Sequence, residues 1–70
     1  MENKPKILKH FHMALQETRG AKDLQNIRLM KNKNTGDEIA MLEFSNGHKR
    51  AVNVTADSGI AMLRDILKEF

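Results

Sequence analysis

His48, Lys49 and Arg50 stand directly after the dipeptide Asn46-Gly47 in the stretch LEFSNGHKRAVNV, residues 42 to 54. Asn-Gly between two runs of alternating residues marks a hairpin, because a type I′ turn needs positive φ at both central positions. Basic side chains at a hairpin end can contact phosphate, or can simply keep an exposed strand end from pairing with other chains. Arg28 joins them, since the tip of this hairpin lies beside the start of the preceding strand. Arg28, His48, Lys49 and Arg50 are therefore the candidate nucleic-acid-binding set, with Glu43 among them to neutralise part of the charge. Single-strand binders stack bases on exposed rings. Here there are three phenylalanines and no tryptophan or tyrosine, so no such platform is visible.

Other residue types that carry chemistry do not assemble into a reaction centre. His10 and His12 are two positions apart on a helix, roughly 200° around its axis, whereas metal-binding helical pairs use i, i+4 spacing. The chain has no cysteine, which removes disulfides and thiolate zinc sites together. No nucleophile-elbow motif is present, and Gly20, Gly36, Gly47 and Gly59 form no phosphate-cradling pattern. Asp57-Ser58-Gly59 lies at a helix start, but Asp57 is the wrong sign for an anion site there. Gly59 would let the helix approach the sheet or a partner closely. The expectation is a protein that is not an enzyme and carries no metal and no cofactor.

Seventy residues make one domain, residues 1 to 70, and so short a chain buries only about 60% of its unfolded surface. Without disulfides or metal, self-association is the natural supplement to a small core, so a homodimer is expected. Lys9, His10 and His12 interrupt what would be the apolar core of a signal peptide. No stretch of 18 apolar residues occurs, and the expected location is cytoplasmic, away from membranes. Twelve Lys and Arg against nine Asp and Glu give a net charge of +3, a mild bias compatible with nucleic acid.

The elements that must hold these residues follow from the hydrophobic period. Ile7, Leu8, Phe11, Ala14 and Leu15 recur at helical spacing behind Pro5, which predicts a helix over about 5–18 ended by Gly20. Ala21 to Gln25 reads as either a helical turn or a loop. Alternating runs predict strands over about 27–32, 38–44 and 48–54. Thr55 is a suitable N-cap for a helix over about 56–69, with Ile60, Leu63, Ile66, Leu67 and Phe70 at helical spacing. The fold class is α+β, a single small α-β-β-β-α domain with a three-stranded antiparallel meander packed with two helices.

With Asn46-Gly47 as a two-residue turn, Glu43 faces Arg50, Leu42 faces Ala51, Met41 faces Val52 and Ile39 faces Val54. With Thr35-Gly36 as the first turn, Met30 faces Met41 and Leu29 faces Leu42. One sheet face then carries Ile27, Leu29, Ala40, Leu42, Phe44 and Ala51. The other carries Met30, Ile39, Met41, Val52 and Val54, the candidate interface, and ends in a row of Arg28, Glu43 and Arg50. Either one helix covers each face, or both helices cover one and the second meets another chain.

An antiparallel sheet followed by a helix is similar in outline to the three-stranded arm-binding domains of phage-type integrases and to strand-then-helix dimers that bind single strands. The likeness is one of element order, and the N-terminal helix departs from both. The expected function is a small non-enzymatic binding protein that associates with nucleic acid through its basic hairpin end. The alternative is a protein-interaction adaptor, inhibitor or homodimerisation module working through the methionine-bearing face. No small-molecule substrate is evident.

Overall fold

The computed structural model describes residues 2–70. The order is α1 (Lys4–Leu15), β1 (Leu24–Lys31), β2 (Glu38–Phe44), β3 (Lys49–Asn53) and α2 (Gly59–Leu67), with an antiparallel sheet in the order β1-β2-β3. The α-β-β-β-α architecture is the one predicted from the hydrophobic periods.

Both helices are shorter than predicted, for local reasons. Asn3 caps α1 by accepting from the Lys6 backbone N–H at 3.1 Å, with Pro5 in the first turn where its missing N–H costs nothing. The helix stops at Leu15 because the next groups fold back: Glu17 N donates to Ala14 O, and the Thr18 hydroxyl donates to Leu15 O at 2.7 Å. At α2 the cap is Ser58, whose oxygen accepts from Ala61 N at 3.2 Å. Thr55, the expected cap, is committed elsewhere: its hydroxyl accepts from Glu38 N at 2.9 Å and donates to Asn53 Oδ1 at 2.7 Å. That pins the end of β3 to the start of β2.

β1 starts three residues earlier than the alternation indicated, at Leu24 rather than 27. Leu24 is fully buried and pairs with Phe44 across an irregularity before Asn26, which hides the period-two signal. Ala21 is buried with it.

The register of both hairpins differs from the two-residue-turn expectation. In the second, Gly47 alone takes positive φ, at +86°, and no non-glycine residue does so. Gly47 N donates to Phe44 O at 3.1 Å and Phe44 N donates to His48 O at 2.9 Å, so the loop is Ser45-Asn46-Gly47 with the glycine in the left-handed position. This shifts β3 by one residue: Leu42 faces Arg50, Met41 faces Ala51 and Ala40 faces Val52. A one-residue slip exchanges the faces of a strand. Val52 and Val54 therefore belong to the core, 8% and 0% exposed, while Ala51 points away from it. Burying a valine stabilises by about 1.5–3 kcal/mol, so two valines against one alanine decide the register.

In the first hairpin, Asn32 N donates to Asp37 O and Gly36 N donates to Asn32 O, enclosing four residues rather than two. The Asn32 side chain accepts from Asn34 N at 2.9 Å, a local turn that the Thr35-Gly36 reading left out. The shift is two residues, so β1 keeps its faces and Ile27 pairs with Leu42.

All the core-facing residues meet on one side of the sheet. Leu8 and Leu15 of α1 and Met62 and Ile66 of α2 pack with Leu24, Ile27, Ala40, Leu42, Val52 and Val54. Both helices thus cover the same face. They approach closely where α2 begins, because Gly59 has no side chain: a Cβ there would meet the Glu2 carboxylate and lie 3.0 Å from Ile7 Cδ1. The glycine serves contact with α1 rather than with the sheet.

Candidate binding surface

The uncovered face is a three-by-three array set by the ladder. Asn26, Glu43 and Lys49 form one row, Arg28, Met41 and Ala51 the next, and Met30, Ile39 and Asn53 the third. The array has a polar half and an apolar half. In the polar half, Glu43 is the hub: it lies 2.9 Å from Arg28 Nε and 3.8 Å from Lys49 Nζ, and it accepts from Asn26 Nδ2 at 3.3 Å. In the apolar half, Met30 is 48% exposed, Ile39 and Met41 are half-buried, and the three line a shallow groove with Lys31 and Asn32.

The four basic candidates are therefore not one patch. Arg28 and Lys49 lie on the open face and share Glu43. Arg50 has changed sides with the register, and its Nη1 donates to Glu69 Oε1 at 3.2 Å beside α2. His48 is exposed at the turn. The row across the sheet end is Asn26, Glu43 and Lys49, with Arg28 reaching Glu43 diagonally from the next row, and not Arg28, Glu43 and Arg50. Of the five candidate interface residues, Met30, Ile39 and Met41 are together on the open face, and Val52 and Val54 are removed from it by the same shift.

A second groove lies on the other side of β1, where Leu29 and Lys31 face Asn3, Lys4 and Pro5 at the start of α1. Its floor is held by Lys4, whose ammonium lies 2.9 Å from Glu38 Oε1 and donates to Val54 O at 2.8 Å. This clamp fastens the start of α1 to the ends of β2 and β3. The periodicity of α1 carries no signal for it, since it needs residues 34 and 50 positions away.

Of the two histidines of α1, His12 has a structural contact. Gln16 Nε2 donates to Leu24 O at 2.6 Å and His12 Nε2 lies 3.2 Å from the same oxygen, so α1 caps the start of β1, while His10 is exposed. Among the described residues there is no cluster of three or more His, Cys, Asp or Glu placed to hold a metal. The aromatic pair Phe44 and Phe70 packs edge to face, with centroids 6.0 Å apart. No helix of the described residues is long and apolar enough to cross a membrane.

Asp57, just before α2, is raised above its ordinary carboxylate value chiefly by hydrogen bonding with the Asp65 carboxyl, which requires a proton on one of them. Burial and the like charge of Asp65 add to this, against the opposing charges of Lys4 and Lys68. Its Oδ2 is enclosed without a hydrogen-bond partner among the described residues. Compared with protein families, curated proteins and solved structures, the chain matches none of them.

Proposed function

We propose that this chain is a small non-catalytic binding protein whose working surface is the open sheet face, and that its partner is another polypeptide. The observation that carries the reading is that both helices pack on one side of the sheet, leaving Met30, Ile39 and Met41 with nothing packed over them. An apolar patch flanked by a satisfied polar network is compatible with a protein interface, whose apolar part is depleted of charge. Methionine suits it because its flexible thioether fits irregular partners.

Nucleic-acid association through Arg28, His48, Lys49 and Arg50 is the second reading. The exposure of the cations favours it, at 56%, 60% and 57% for the side chains of Arg28, Lys49 and Arg50. Against it, each of those three already has a carboxylate, and a phosphate would have to compete with Glu43 or Glu69. Polypeptide binding is therefore preferred.

The test compares species retained by the purified full chain with those retained by Met41→Lys and by Ile60→Lys, the latter on the exposed side of α2. Loss of a bound protein with Met41→Lys and its retention with Ile60→Lys supports the open face. The reverse pattern, or retention of nucleic acid alone, refutes it.

A further inference from the structure

We infer that the free edge of β1 accepts an extended, acidic segment of another polypeptide as a fourth strand; the inference rests on the polypeptide-binding reading above and names how the partner docks. In an antiparallel ladder, alternate residues turn their N–H and C=O groups to opposite edges. The bond from Asn32 N to Asp37 O marks Asn32 as directed toward β2. By alternation Met30, Arg28 and Asn26 are directed the same way, and Lys31, Leu29 and Ile27 point their backbone groups outward. β1 is an edge strand, and among the described residues nothing hydrogen-bonds to those outward groups.

An added strand sends its side chains alternately to the two faces of the sheet. Both destinations exist. On the open face, the groove of Met30, Ile39 and Met41 borders the edge. On the helix face, the groove of Leu29, Pro5 and Lys4 borders the same stretch. Lys31 lines both. Backbone pairing along an edge flanked by alternating side-chain recesses is the arrangement by which strand addition combines affinity with specificity. β3, the other edge, is shorter at five residues against eight, and of the residues it places on the open face, Lys49, Ala51 and Asn53, Ala51 alone is apolar.

Charge selects the occupant. From Leu24 to Gly36 the chain carries Arg28, Lys31 and Lys33 and no acidic residue. Arg28 is already paired with Glu43, and of the two carboxylates lining the helix-face groove, Glu2 and Glu38, the second is paired with Lys4, so Lys31 and Lys33 are the cations this edge offers. A second copy of β1 would bring the same cations alongside, which is how edge strands deter self-pairing. A strand bearing carboxylates gains opposite-charge neighbours instead.

The experiment titrates the full isotope-labelled chain with three synthetic peptides: one alternating valine and glutamate, one alternating valine and lysine, and the acidic one N-methylated at alternate backbone nitrogens. The inference expects the acidic peptide to shift and protect the amides of Ile27, Leu29 and Lys31. It expects the other two to bind at least about tenfold more weakly, and Lys31→Glu with Lys33→Glu to lower acidic-peptide affinity by about tenfold. Shifts confined to Met41 and Ala51 with edge amides unchanged would overturn strand addition and leave open-face docking standing. Equal binding of the N-methylated peptide, or no binding of any peptide at millimolar concentration, would also overturn it.

Discussion

Val54→Ala tests the register that separates core from open face. Val54 is completely enclosed, so the substitution removes two methyl groups from packed surroundings. Lost transfer energy is about 1.6 kcal/mol at roughly 0.8 per group. A residual cavity of about 50 Å³ adds about 1.2 kcal/mol at roughly 24 cal/mol per Å³. The expected loss is about 3 kcal/mol, against a total of about 3.5–10 kcal/mol for 70 residues at roughly 0.05–0.15 each. The paired substitution Ala51→Lys, on the exposed side of the same strand, should change stability by no more than about 0.5 kcal/mol. Urea unfolding followed by far-ultraviolet circular dichroism is the assay, since without tryptophan or tyrosine the useful fluorescence is absent. With a slope of about 1 kcal/mol per molar urea, the Val54→Ala midpoint should fall by roughly 3 M while Ala51→Lys stays near wild type. A tolerated Val54→Ala together with an Ala51→Lys loss above about 2 kcal/mol would restore the two-residue turn and refute the packing argument.

Gly47→Ala should cost about 1–2 kcal/mol in the same assay, because an L residue is strained at φ +86° even though a Cβ there meets nothing. Raising the pH should destabilise the protein through Asp57: its folded pKa lies above the unfolded value, so its contribution is fully present below the unfolded pKa and is lost as pH rises through the folded one. Asp57→Asn should accordingly flatten the dependence of Tm on pH above about pH 4, and an unchanged slope would show that the Asp65 contact is absent in solution. For nucleic acid, anisotropy titrations over several salt concentrations should show no change of slope when Lys49 and Arg50 are both replaced by alanine. A slope flattened by about 2 would reinstate the basic hairpin end as a phosphate site.

Much of this architecture is legible one residue after another. The change from helical to alternating period at Ile27, the turn residues around Gly36 and Asn46-Gly47, and the return to helical spacing after Thr55 suffice for the order α-β-β-β-α. These signals are local: they depend on which side of one element is apolar, and neighbouring residues carry that information. Leu42 and Ala40 could be assigned to the core for the same reason, as could the grouping of Met30, Ile39 and Met41 on one face.

What tertiary structure decided is how the elements meet. Asn46-Gly47 permits either a two-residue or a three-residue turn, and the two differ by one position in register. Only the packing of Val52 and Val54 beneath the helices selects between them. That choice carried Arg50 to Glu69, brought Lys49 to Glu43 and dissolved the basic cluster that adjacency in the chain had suggested. The Lys4 clamp, the early start of β1 at Leu24 and the covering of one sheet face by both helices likewise depend on partners distant in sequence. Periodicity specifies which face of a strand is apolar; which of two apolar faces is covered depends on how much area the helices bury together, a property of the assembled core rather than of any segment.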